Sequence, residues 1–179
     1  WPGLVGSEMC IRDSFMDRAK LLGSLGETVL ITNFKEYYRL VEYFSQYTKK
    51  KIGLTMGVNN LIRVFDPKYY THLSGGIMEA FGKLFFKNMK IYLYPVLNDE
   101  DEIINSENLK VHPRMKELYK FLKFNGKVVD LNKYNLKSLK IYSHEVLVKI
   151  KENSVGWESL LPKAVASKIK KFNFFGYKK

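Results

Sequence analysis

Three short apolar runs punctuate the first hundred residues, and an amphipathic helical pattern precedes each of them. The runs are Thr28-Val29-Leu30-Ile31, Ile52-Gly53-Leu54-Thr55-Met56 and Met89 to Tyr94. Compact apolar runs bounded by Gly, Asn or Pro read as strands. The first run does not alternate with polar residues, so it reads as a strand covered on both faces. Strands that alternate with helices pair in parallel through right-handed crossovers. The expected fold class is therefore α/β. It is a three-layer, mostly parallel sheet with flanking helices, Rossmann-like over residues 15–97.

The intervening helices follow from spacing. Phe15 to Leu25 carries Leu21, Leu22 and Leu25, with Gly26 as its stop. Asn33 is placed to cap the next helix, whose Tyr37, Leu40, Val41, Phe44 and Tyr47 fall on one face. Lys49-Lys50-Lys51 closes it, where cations suit the helix dipole. Asn59 to Phe65 reads as a short helix stopped by Asp66-Pro67. Gly75-Gly76 opens another, with Ile77, Ala80, Phe81, Leu84 and Phe85 on one face.

The pattern changes after Pro95. Residues 98–112 are polar and acidic and read as an exposed loop. Residues 113–179 read as a mainly helical appendage. Pro113 starts a helix with Met115, Leu118, Tyr119 and Leu122 inward, and Gly126 stops it. Val128-Val129 reads as a short strand. Ser143 caps a helix bearing Val146, Leu147 and Ile150, and Pro162 starts one bearing Val165, Ile169 and Phe172.

The segment Trp1 to Ser14, ending SEMCIRDS, resembles translated library-adapter sequence and is set apart from the fold as non-native. Cys10 is the only cysteine, and it lies there. Disulfide frameworks, Cys-ligated zinc and a cysteine nucleophile are therefore not expected. No apolar run approaches the ~20 residues of a membrane span, so a cytoplasmic location without membrane contact is expected.

A formal net charge of +12 invites a polyanionic partner. Of the 30 basic residues, however, 25 are Lys. Arg is the residue suited to bidentate phosphate and base contacts. The lysines accompany abundant Asn, Ile, Tyr and Phe, as A+T-rich codons produce. Nucleic acid is thus not the expected partner.

Ligands of open parallel sheets bind beyond the carboxyl ends of the strands. That edge holds Thr32-Asn33 and the turn Met56-Gly57-Val58-Asn59-Asn60. Gly57 permits close backbone approach, while Asn59 and Asn60 offer amides at a helix start. Gly75-Gly76 before a helix is a further anion candidate, although no P-loop Lys follows. Candidate ligand-binding residues are therefore Thr32, Asn33, Gly57, Asn59, Asn60, Gly75 and Gly76. His72 and His112 sit in loops as candidate acid–base groups. The consecutive carboxylates Asp99-Glu100-Asp101-Glu102 point in different directions, so no metal site is expected. No catalytic residue and no cofactor can be assigned.

Three stretches carry a family resemblance. They are Asp17 to Leu61, Lys68 to Pro95 and Glu107 to Leu122. Together they resemble the C-terminal part of a larger bacterial family, some of whose members are labelled nicotinate-nucleotide adenylyltransferase. The resemblance implies a nucleotide-handling α/β protein and nucleotidyl transfer. The nucleotide-binding motifs of such enzymes, G-x-F-x-P-x-H-x-G-H and I-S-S-T-x-I-R, are absent from this chain. No catalytic residue is therefore carried over, and an upstream domain is expected to hold them. The alternative is a non-catalytic module whose Trp157, Phe172, Phe174 and Phe175 pack on that domain. A third reading is RNA binding through the Lys-rich surface.

Overall fold

A computed structural model describes residues 5–86 and 89–178, with side chains from Ser14 onward. In chain order the helices and strands are α1 (Val5–Ser24), α2 (Tyr37–Tyr47), β1 (Gly53–Gly57), α3 (Val58–Val64) and α4 (Gly76–Leu84). They continue with β2 (Lys90–Tyr94), β3 (Val96–Leu97), β4 (Ile103–Ile104), α5 (Lys116–Phe124) and β5 (Val128–Asp130). Three helices finish the chain: α6 (Leu136–Leu139), α7 (Ser143–Lys151) and α8 (Lys163–Phe172). Trp1 to Leu4 of the adapter-like segment lie outside the described residues, and residues 5–14 belong to α1.

The fold is mixed α/β, as the alternation predicts. A three-stranded parallel sheet runs in the order β1-β2-β5 and is flanked by helices. Its register pairs Leu54 with Ile91 and Ile91 with Val128. That strand order never reverses. With right-handed crossovers, it places both connecting segments on one face. Burial agrees, because Met56, Ile91, Leu93 and Val128 are buried while Thr55, Lys90 and Tyr92 alternate with them as exposed residues.

One predicted strand is absent. Residues 28–31 are coil in no ladder, and Leu30 and Ile31 are 52% and 54% exposed. The apolar run supplies local propensity, but a strand also needs a partner edge. Val128-Val129 finds that edge on β2 and completes the sheet instead.

The chain divides into two compact units. Residues 33–139 form one, with the sheet at its centre. Its core gathers Val41 of α2, Leu61 of α3, Phe81 and Leu84 of α4, and Tyr119 and Leu122 of α5 on the buried sheet face. Phe65 is fully buried, with its ring 4.8 Å from Phe81 and 5.2 Å from Tyr119 in edge-on packing. The expected stripe on α2 is rotated. Tyr38 and Val41 are buried, whereas Tyr47 is 71% exposed. Asn33 does not cap this helix, since the N-cap position belongs to Glu36.

The acidic stretch 98–112 begins as a hairpin. β3 and β4 pair antiparallel, and Asn98 Oδ1 accepts from the backbone N–H groups of Glu100 and Glu102 at the tip. Ser106 anchors the returning chain. Its N–H and hydroxyl donate to the two carboxylate oxygens of Asp130, at 3.0 and 2.6 Å.

The second unit comprises the described residues of 1–32 and 140–179. Its core is built from Leu21, Val146, Ile150, Trp157, Ala166 and Ile169. Asp17 of α1 accepts the Phe175 backbone N–H at 2.6 Å, where Phe175 takes a left-handed φ of 60°. Trp157, Phe174 and Phe175, expected to face another domain, are buried within this unit, while Phe172 is 47% exposed.

A pair of substitutions separates the two kinds of apolar residue. Leu61→Ala should cost about 2–5 kcal/mol, because it opens a cavity in a fully buried site. Ile31→Ser should change stability by less than about 0.5 kcal/mol. Chemical denaturation of the two variants measures both values.

Candidate functional site

β1 ends at Gly57, and α3 follows at once. Because α2 leads into β1 from the other direction, its start returns to this same end of the sheet. The 3₁₀ turn Pro67–Tyr70 closes the third side. A cavity of about 370 Å³ lies there, lined by Lys35, Glu36, Tyr37, Asn60, Arg63 and Tyr69, with Val64 and Tyr70 behind them. A second hollow of about 380 Å³ shares Lys35 and Glu36 and adds Asn33, Arg39 and His72. Volumes of this size suit a small ligand.

Local chemistry sets these side chains. Asn60 and Arg63 are three residues apart on α3, so they share one helix face. Asp66 caps the following turn by accepting from the Lys68 N–H at 3.1 Å. Its carboxyl also meets the Lys68 ammonium at 2.7 Å, and that contact holds it below the usual carboxylate range. Lys68 in turn lies 5.0 Å from the centre of the Tyr69 ring. Tyr70 donates its hydroxyl to the Val64 carbonyl at 2.9 Å.

A polar cluster joins the two hollows. Arg39 Nε reaches Glu36 Oε2 at 3.2 Å and donates to the Tyr38 hydroxyl, also at 3.2 Å. These contacts, the Tyr38 bond first, raise the Arg39 pKa further. Glu36 Oε1 lies 3.7 Å from His72 Nε2, and the Tyr38 hydroxyl lies 3.4 Å from the same nitrogen. Lys35 and Arg63 make no ion pair among the described residues. The arrangement therefore offers two cations without an ion pair among the described residues, one amide and the exposed Tyr69 ring, beside a carboxylate–imidazole pair.

The predicted site residues are distributed unevenly. Asn60 lines the first cavity and Asn33 the second. Thr32 and Asn59 are exposed and line neither. Gly57 occupies the N-cap of α3 with extended backbone, and a Cβ there would meet nothing within 4 Å. Gly75 and Gly76 do not present free N–H groups. The Gly75 N–H donates to Glu79 Oε2 at 3.0 Å, and the Gly76 N–H donates to the Leu73 carbonyl at 3.0 Å. Glu79, held below the usual carboxylate range first by that backbone contact and then by Lys83, sits where an external anion would have to sit. His72 joins the cluster, whereas His112 caps the turn Pro113–Met115 by accepting from the Arg114 N–H. His144 lies exposed in α7.

Sequence reasoning missed Lys35, Glu36, Arg63 and Tyr69. One available signal was the i, i+3 spacing of Asn60 and Arg63 on a helix that leaves a strand end. No comparison with protein-family models, curated proteins or solved structures finds a match.

Tyr70 supplies a pH test. Burial first, and then nearby Glu36, pushes its pKa up to about 12 from the ordinary value near 10. A raised folded-state pKa stabilises the fold below the unfolded value and ceases to do so as pH rises through the folded one. Stability should therefore decline between pH 10 and about 12. Tyr70→Phe should lower stability at pH 7 by about 1–3 kcal/mol, because the buried Val64 carbonyl loses its donor. The variant should also show a shallower decline over that alkaline window. Denaturation at stepped pH compares the two proteins.

Proposed function

We propose that the 33–139 unit binds a nucleotide in the cavity at the carboxyl end of β1. The observation that carries this reading is the convergence of Lys35, Arg63 and Asn60 with Tyr37 and Tyr69 on about 370 Å³ of space. Two cations without an ion-pair partner among the described residues suit phosphate oxygens. An aromatic face nearby suits a base, which stacks on any π-surface. The family resemblance of Asp17 to Leu61 points to the same ligand class. Nucleotidyl transfer is the reaction class which that resemblance implies. The role of this unit within it is ligand binding, since the two phosphate-binding motifs are absent.

The sheet offers no topological switch point, because its strand order does not reverse. The cavity is formed instead by the start of α2, the length of α3 and the turn after it. The ligand is then held mainly by side chains, not by a glycine-rich loop.

Calorimetric titration of the full chain with ATP and with nicotinate mononucleotide tests the reading. At least one should bind, and Lys35→Ala and Arg63→Ala should each weaken it about tenfold or more, the worth of a charge-assisted hydrogen bond. Neither ligand binding, or binding indifferent to Arg63→Ala, would overturn the proposal.

A further inference from the structure

A different surface of the 33–139 unit carries the strongest unassigned feature. A groove of about 800 Å³ runs along α5. Lys116, Lys120 and Lys123 line it from positions i, i+4 and i+7, which form one helix face. Lys110 joins them from the loop before the helix. The composition alone left the positive charge diffuse, but here four lysines line one groove.

The charge of three of them, Lys110, Lys116 and Lys120, is only lightly compensated. Lys120 meets Glu117 at 2.8 Å, with side chains 60% and 80% exposed. The exposed Lys120–Glu117 pair contributes little and exchanges readily for a stronger anion. Lys123 is different: its side chain is 22% exposed, it meets Glu107 at 2.7 Å and donates to the Ser106 carbonyl at 3.0 Å, so it is held within the fold. Lys110 and Lys116 have no ion-pair partner among the described residues.

Aromatic rings stand beside this row. Phe124 lines the groove and is 92% exposed, and Phe121, one turn earlier, is 61% exposed. Neither ring contacts another ring among the described residues. A phenylalanine that forms a pocket wall is mostly covered. One that projects into solvent beside cations offers both of its faces.

We infer that this face of α5 binds single-stranded nucleic acid, with Lys110, Lys116 and Lys120 along the phosphates and Phe124 stacked on a base. An acidic peptide would satisfy the lysines equally. It would leave the projecting ring without a matching surface, whereas every base has a face to stack on it. The absence of Arg from the groove removes bidentate base reading, so binding is to the backbone and independent of sequence. This site is separate from the nucleotide cavity, and neither proposal depends on the other.

Fluorescence anisotropy with a labelled oligouridylate of about 12 nucleotides tests it on the full chain. Affinity should fall with salt at a logarithmic slope of about −2, as three neutralised phosphates of a single strand require. Lys116→Ala with Lys120→Ala should lower the magnitude of that slope by about 1.4. Phe124→Ala should weaken binding about fivefold or more and leave the slope unchanged. Because the Phe124 ring is exposed, this change does not threaten the fold. Lys49→Ala with Lys50→Ala, at another exposed site, and Arg63→Ala in the cavity should leave binding unaltered. Absence of binding at low salt overturns the inference. So does an equal loss from the Lys49 and Lys50 pair, which would mean diffuse charge. Equal affinity for a glutamate-rich peptide, or indifference to Phe124→Ala, also overturns it.

Discussion

A parallel ladder cannot be closed by a tight turn, and everything in the 33–139 unit follows from that constraint. Each step from one strand to the next must cross the sheet in a long connection. Here the steps run β1 to β2 to β5 without a reversal. Both crossovers consequently stack on the same face. Leu61, Phe65, Phe81 and Tyr119 all bury there, and the alternate residues of β2 are left exposed. Separately, α2 leads into β1 from the opposite direction, so its start lies at the carboxyl end of β1 and Lys35 and Arg63 line one cavity.

Much of this is legible in the sequence. β1 and β2, the helix opened by Gly76, the helix after Pro113 and the mainly helical character of 143–172 all follow from hydrophobic spacing and turn residues. Those signals are local, and they are strong where the apolar face is unambiguous. Failures occurred where a residue's fate depends on a distant partner. Thr28 to Ile31 and Val128-Val129 have equal claims to strand character by composition. Only the availability of the β2 edge decides between them. The stripe on α2 was misplaced for a related reason, since Tyr37 to Tyr47 is rich in aromatics on several faces and spacing alone does not choose the one that packs.

The candidate site was partly legible. Asn33 and Asn60 were reached by asking which residues follow strand ends. The glycines were singled out on the assumption that a ligand is held by bare backbone. In the fold Glu79 already occupies the N–H of Gly75, and Gly57 has open space around it. The groups that define the cavity are long cationic side chains. Their convergence arises from three separate elements, and no local pattern encodes it. The lysines of α5 show the converse. Their spacing was always visible, but 25 lysines in the chain hid the few that share a groove.

Ser106 binds Asp130 through two donors, and its own carbonyl accepts from the Tyr119 hydroxyl at 2.7 Å and from Lys123 at 3.0 Å. One residue thus ties the returning arm of the hairpin to both the last strand and α5. The tip at 99–101 lies on the far side of that tie, where Asn98 Oδ1 accepts from the Glu100 and Glu102 N–H groups. The two stretches differ in their tolerance of added chain. A peptide tag or a dye-bearing loop grafted at 99–101 would ride on a fixed stem. The same graft at 105–107 would untie the sheet from its covering helix.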